Sequence, residues 1–395
     1  MARVFRRRFP WRENNRFRLL VNGGEIFPAM LEKIAEANSQ ILLEMYLVES
    51  GRLLDRFIEA FAAAVQRGVN VYLLFDDFGS RGLSEQDRQR MRQAGMFLAM
   101  YNPLHYGRLR RSLFRDHRKL LVVDGRVAFV SGVGLTDEFD PLSCPEDFWH
   151  DVAVQAQGPV LRDWQIIFQA NWHYWARQSL PEVKPPEMQL LSDKQMVPAD
   201  AFHQKGRVSG GRYFGAAGIQ RSFVKHARHA TERVWMMTAY FVPPRSLLRA
   251  LRNAARHGVD VRLVLPGPKT DHPAVRYAGH RFYYSLLRAG VRIYEYQPRF
   301  VHAKVMLCDD WVSLGSCNAD RWNLRWNLEA NQEVLAEEFA LRVRALFMED
   351  MAQSKECHIQ DWQRRPSYWR VSEWFWGNVA QWLDTLSVRL RRKRK

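Results

Sequence analysis

Cysteine is scarce: four residues in 395, with no Cys-x-x-Cys pair. That excludes a disulfide framework and a thiolate zinc cluster, and points to a reducing compartment. Cys308, in an apolar stretch, and Cys317, in a turn, read as small buried residues. Long hydrophobic runs are also missing, and none approaches the ~18 residues needed to span a bilayer. The opening MARVFRRRFPWRENNRF carries the positive charge of a secretory signal without the apolar stretch that should follow it. The protein is therefore expected at a cytoplasmic site or on a cytoplasmic membrane face. Acidic residues are outnumbered, 42 Asp+Glu against 59 Lys+Arg, which leaves a net charge of +17. So basic a chain suits a polyanion, either nucleic-acid phosphate or anionic lipid. With 47% hydrophobic and 26% charged residues the composition is that of a folded globular protein, long enough for two or three domains.

What the chain has in abundance is itself, twice. Residues 57–75, FIEAFAAAVQRGVNVYLLF, read as an amphipathic helix, a glycine turn and a strand. Residues 247–265, LLRALRNAARHGVDVRLVL, repeat that grammar, with Gly258-Val259 answering Gly68-Val69. Upstream, LLEMYLVE (42–49) is answered by WMMTAYFVP (235–243); downstream, Ala94-Gly95 is answered by Ala289-Gly290. FRDHRKLLVVDGRVAFVSG (114–132) then pairs with RFVHAKVMLCDDWVSLGS (299–316). Order and offset are kept throughout, so two α/β domains with mixed sheets flanked by helices are expected. The expected boundaries are a basic segment over 1–16, a first domain over 17–180, a proline-bearing linker over 181–207, a second domain over 208–350 and a Trp/Arg-rich segment over 351–395.

The last repeated segment carries His-x-Lys-x-x-x-x-Asp in both copies: His117, Lys119, Asp124 and His302, Lys304, Asp309. On a strand, residues i and i+2 share a face, so each His projects beside its Lys while LLVV and VMLC hold the strand in a core. One such histidine could be a hydrogen-bonded bystander; two, in matching places of a repeat, are not well explained that way. Pseudo-two-fold packing of the halves would join them in a single active site at the interface. Phosphodiester chemistry needs that set: a nucleophile, an acid for the leaving oxygen and cations for the oxyanions. A metal site is disfavoured because neighbouring ammonium groups repel a cation.

The duplicated motif resembles that of the phospholipase D superfamily over about residues 17–350 and, within it, bacterial cardiolipin synthases of the B type. The resemblance implies two tandem phospholipase D-type domains and transfer of a phosphatidyl group from one phosphatidylglycerol to another through a phosphohistidine, releasing glycerol. It implies no metal and no other cofactor, and anionic phospholipids as partners rather than nucleic acid. By analogy His117 is the nucleophile and His302 the acid/base, with Lys119 and Lys304 stabilising the phosphorane. Asp124 and Asp309 complete the catalytic motif and are expected to be structural, because they lie beyond the strand. GSCNADRWNLRWNLEAN (315–331) resembles the family's Gly-Ser-x-Asn run and the Asn-x-Glu that follows it. This carries over Ser316 and Asn318 as phosphate-oxygen donors and Glu329 as the carboxylate holding His302. FWHD (148–151) likewise makes Asp151 the expected partner of His117. One departure stands out, Gly134 where the family places Asn.

Glu44, Tyr46 and Tyr240 are candidates for a headgroup or acyl pocket, with Phe241 and Trp149 nearby. A phospholipase D hydrolase or a basic nuclease of the same superfamily is the alternative reading. A catalytically dead binding protein is disfavoured by intact His and Lys in both copies. In the C-terminal segment Val371, Trp374, Phe375, Val379, Trp382, Leu383, Leu386 and Leu390 recur at helical spacing ahead of RLRRKRK. That pattern suggests a helix lying on the cytoplasmic face of an anionic inner membrane.

Overall fold

The computed structural model describes residues 9–103, 114–179, 203–210, 215–320 and 327–364. The first half supplies strands β1 (Arg12–Val21), β2 (Gln40–Met45), β3 (Asn70–Asp76), β4 (Phe97–Tyr101), β5 (Arg115–Asp116), β6 (Lys119–Val123), β7 (Val127–Ser131) and β8 (Val152–Gln157). The second supplies β9 (Gln204–Gly210), β10 (Arg233–Met237), β11 (Phe241–Val242), β12 (Asp260–Pro266), β13 (Arg292–Tyr296), β14 (Val305–Cys308), β15 (Trp311–Gly315), β16 (Ala319–Asp320), β17 (Asn327–Leu328), β18 (Ala330–Leu335) and β19 (Ser354–Cys357).

Fifteen of these strands form one mixed sheet whose order shows the duplication. Outward from the antiparallel β1·β9 seam, one wing runs β8-β7-β6-β2-β3-β4 and the other β18-β15-β14-β10-β12-β13, with β19 added at the far edge. In both wings the inner strands pair antiparallel, and the outer three (β2-β3-β4 and β10-β12-β13) run parallel. The parallel crossovers are the helix–glycine–strand units of the sequence. Helix Arg52–Gln66 buries Leu53, Leu54, Phe57, Ile58 and Phe61 along one stripe. Gly68, Gly95, Gly258 and Gly290 end the four crossover helices at φ 86°, 87°, 87° and 92°, a conformation that costs an L side chain energy.

Both faces of the sheet are covered, which explains strands that read as continuous apolar runs. Ile41 and Leu43 face the crossover helices, while Leu42 faces a central core shared by both halves. That core holds Trp164, Phe168 and Trp172 of helix Leu161–Ser179 beside Phe339, Val343 and Phe347 of helix Glu337–Ala352.

Three expected boundaries move. Residues 12–16 belong to β1 rather than to a separate basic segment, and 204–207 belong to β9 rather than to the linker, because the two strands make the seam. Residues 354–357 pair with β13, and Trp362 stacks on Tyr283 at 4.6 Å, so the second half extends past 350. The proposed membrane helix lies outside the described residues. Among those described, no helix is long and apolar enough to cross a membrane.

Candidate active site

The site forms where each motif strand meets the other half. β5 pairs in parallel with β17, and a matching bridge joins Val301 to His150. His117 N–H donates to the Leu328 carbonyl (3.0 Å), and His302 N–H donates to the His150 carbonyl (2.7 Å). The residue after each accepting carbonyl is a carboxylate, Glu329 or Asp151, so backbone pairing delivers each carboxylate to the opposite half's histidine. His117 Nδ1 stands 3.0 Å from Glu329 Oε1 and 3.2 Å from Oε2. His302 Nδ1 stands 2.7 Å from Asp151 Oδ2. The pairs expected from sequence, Asp151 with His117 and Glu329 with His302, are therefore exchanged. The cause is the strand pairing across the interface, which no within-repeat spacing reveals.

The lysines follow the alternation. Lys119 Nζ donates to the His117 carbonyl at 2.7 Å, and Lys304 Nζ donates to that of His302. Lys304 also lies 3.0 Å from His302 Nε2. Asp124 and Asp309 leave the catalytic set. Asp124 accepts from the backbone N–H of Asn38, Ser39 and Gln40, and Asp309 from those of Thr231, Glu232 and Arg233. Each pins the start of a central strand to the motif hairpin.

The phosphate donors expected from the sequence come from one side. Asn318 is fully buried; its Oδ1 accepts from Thr238, and its Nδ2 has no partner among the described residues. Ser316 donates its hydroxyl to Glu329, so its first role here is to hold that carboxylate rather than to stand free for phosphate. Ladder register makes Gly132 and Gly134 the counterparts of Ser316 and Asn318, since Ser131 faces Ala153 as Gly315 faces Asn331. A Cβ on Gly132 would sit 2.4 Å from Asp151 Oδ2, and one on Gly134 would sit 2.9 Å from Leu47 Cβ. The first half therefore has no side-chain donor at either place.

Of the pocket candidates, Tyr46 lies edge-on to His117 with ring centroids 4.7 Å apart. Tyr240 donates to Asp271 and faces Phe300, itself 5.7 Å from His302. Phe139 and Trp149 close over His302 at 5.2 and 5.4 Å. Glu44 is not a pocket residue. It is buried behind the site against Arg118, at 2.8 Å. Sequence reasoning missed Gly132, Phe139 and Phe300; aligning the repeats at 132 and 316 would have exposed the first.

Burial dominates the electrostatics. It pulls the His117 imidazole well below its usual range, with Lys119 and Lys304 adding to the effect. Burial and Lys304 bring His302 to about 4 against the pull of Asp151. Lys119 falls to about 7 and Lys304 to about 8, both through burial, opposed by Glu329 and Asp151. Burial lifts Glu329 to about 8 against Lys119, whereas for Asp151 the burial penalty is outweighed by Lys304 and the His302 hydrogen bond, leaving it lowered. Lys304 acts on His117 and Lys119 on His302, so the two motifs form one electrostatic unit.

A family model described as cardiolipin synthase, PLD-like domain, matches residues 30–138 and again 223–351. The chain belongs to the phospholipase D-like family. Cardiolipin synthase A of Pseudomonas aeruginosa is 35% identical over 362 residues, covering 90% of this chain and 70% of its own. A cardiolipin synthase of a Geobacillus species is 31% identical over 367 residues, with coverage of 90% and 70%. These matches support the phospholipase D-like assignment without resolving the expected B type from the A type. The phospholipase D-like fold recurs in the crystal structure of a phosphatidylserine synthase from Haemophilus influenzae, at 15% identity, with a TM-score of 0.70 and 98% of each chain covered. A polyphosphate kinase from Porphyromonas gingivalis aligns with a TM-score of 0.56 at 14% identity, over 87% of this chain and 49% of that one.

Proposed function

We propose that this protein is a cardiolipin synthase-type phosphatidyltransferase that joins two phosphatidylglycerols and releases glycerol. The observation that carries the reading is the crossed pair of histidines, each held at Nδ1 by a carboxylate of the opposite half and each beside a lysine. A held Nδ1–H leaves Nε2 to act as nucleophile or proton carrier. His117 Nε2 attacks the phosphodiester phosphorus, and the bond to the glycerol oxygen breaks as His302 gives that oxygen a proton. His302, now neutral, takes the proton of a hydroxyl on the second phosphatidylglycerol. That oxygen displaces His117 from phosphorus, leaving cardiolipin and free enzyme. Lys119, Lys304 and Asn318 Nδ2 stabilise the equatorial oxygens.

Burial keeps both rings neutral in the free enzyme, and the incoming phosphate monoanion favours the protonated form of His302. Phe139, Trp149 and Phe300 pack around His302, and so apolar a wall favours an alcohol over water as acceptor. Phospholipid substrates place the enzyme at a membrane. We assign it to the cytoplasmic face of a bacterial inner membrane, held by the basic, Trp-rich segment 369–395, and expect no nucleic acid as partner. The test is lipid analysis in a cardiolipin-free bacterial host. Wild-type chain should restore cardiolipin, and His117→Ala, His302→Ala and the double variant should all fail equally, since groups acting as a unit lose activity non-additively. Phosphatidic acid in place of cardiolipin would establish a hydrolase instead.

A further inference from the structure

The two half-sites match in their histidines but differ behind them. Asp116 and Arg118 flank His117 and, by alternation, project from the opposite strand face. There they meet Glu44 and Asn171, all four no more than 2% exposed. Arg118 spans the group, with Nε 3.0 Å from Asp116 Oδ1 and Nη2 2.8 Å from Glu44 Oε1. Asn171 Nδ2 donates to Glu44 Oε1 at 2.9 Å and to Asp116 Oδ2 at 2.8 Å. In the second half the motif offset puts Val301 and Ala303 at these places. Ladder register puts Met237 opposite Val305 as Glu44 is opposite Leu120. The same chain thus builds the same fold with apolar residues there.

That internal comparison weighs against a purely structural role, because buried ion pairs are commonly no better for stability than well-packed apolar side chains. The backbone shows what the charges do instead. In the second half Ala303 N–H joins His302 N–H on the His150 carbonyl, so two backbone bonds pin the histidine. In the first half only His117 N–H reaches Leu328; Arg118 N–H turns back to Asp116 Oδ1 at 3.3 Å. Asp116 N–H is held by Asp76 Oδ2 at 2.8 Å. We propose that Glu44, Asp116, Arg118 and Asn171 form a positioning network that takes the place of the second bond to the accepting carbonyl, which residue 118 does not make, and holds His117 at the phosphate. It makes the two histidines mechanically unequal. Resting on the phosphatidyltransferase reading, this assigns no chemical step to the network itself.

The experiment copies the second half into the first at three positions and removes the fourth polar group: the full chain carrying Glu44→Met, Asp116→Val, Arg118→Ala and Asn171→Leu. Turnover is read on short-chain phosphatidylglycerol beside the wild type, whose failure to turn over would sink the phosphatidyltransferase reading and not the network. The variant should fold with a Tm at or above that of wild type, and kcat should fall about 10- to 100-fold at little-changed KM. The pH–kcat profile should also move, since among the described residues Lys119, Lys304, Glu329 and Asp116 act on His117 and the variant removes Asp116 from them. Arg118→Lys keeps the charge but cannot bridge both carboxylates; it should lower kcat and also lower Tm, because one buried carboxylate loses its partner, a loss the fourfold variant avoids. Wild-type kcat and pH profile in a folded fourfold variant would overturn the proposal. So would failure of that variant to fold, since the network would then serve the fold.

Discussion

Gly132 offers a sharp test of the crossed site, because its missing side chain is what lets Asp151 reach His302. In Gly132→Ser the new Cβ would lie 2.4 Å from Asp151 Oδ2, 2.7 Å from Oδ1 and 2.9 Å from Cγ. Relief to ordinary contact needs a carboxylate shift of about 1 Å, in a site packed as densely as a crystal. The rest of Asp151 cannot follow, since its carbonyl is bound by Asn22 N–H at 2.8 Å and its Oδ1 by Val152 N–H at 2.7 Å. A 1 Å shift ends the 2.7 Å hydrogen bond to His302. Such charge-assisted bonds contribute about 1.5–3 kcal/mol, so kcat should fall about 10- to 150-fold. Overpacking should also cost about 1–3 kcal/mol of stability, seen as a lower Tm. The second half contains the remedy. Ser316 coexists with a carboxylate one methylene longer, Glu329, and donates its hydroxyl to it. Gly132→Ser with Asp151→Glu should therefore regain a large part of the lost kcat. Turnover of short-chain phosphatidylglycerol, with thermal melts in parallel, measures both effects. A single variant within twofold of wild-type kcat would refute the reasoning.

Lys119 near 7 and Lys304 near 8 are depressed bases, so their charge is present below those values and lost above them. kcat/KM should accordingly fall on the alkaline side from about pH 7–8, and Lys119→Arg should move that limb upward; a profile flat to pH 10 would show that neither ammonium binds the phosphate. EDTA should leave turnover intact, because the lysines supply the positive charge; activity restored to dialysed enzyme only by a divalent ion would argue otherwise. Removal of residues 367–395 should weaken binding to phosphatidylglycerol vesicles and spare turnover of short-chain substrate. Six of the last seven residues are Lys or Arg, each contributing about 1 kcal/mol at an anionic surface. Normal vesicle binding by the truncated chain would dismiss the anchor.

The duplication, the crossover helices and the His-Lys faces could be read from the chain because each depends on neighbours a few residues apart. Amphipathic period, a glycine at positive φ and strand alternation are local rules, and they operate the same way in both copies. Even Asp124 and Asp309 could be set aside by their place past the strand. Glu44 and Tyr46 show where local rules fail. Alternation would give them one face, but β2 ends at Met45, so Tyr46 turns to His117 while Glu44 stays behind with Arg118. The histidine partners were further out of reach. Residues 117 and 329 are 212 positions apart, 151 and 302 are 151 apart, and each pair forms only because β5 lies against β17 and His150 against Val301. A repeated sequence specifies two equivalent halves; which half completes the other's histidine is set by how their edges dock.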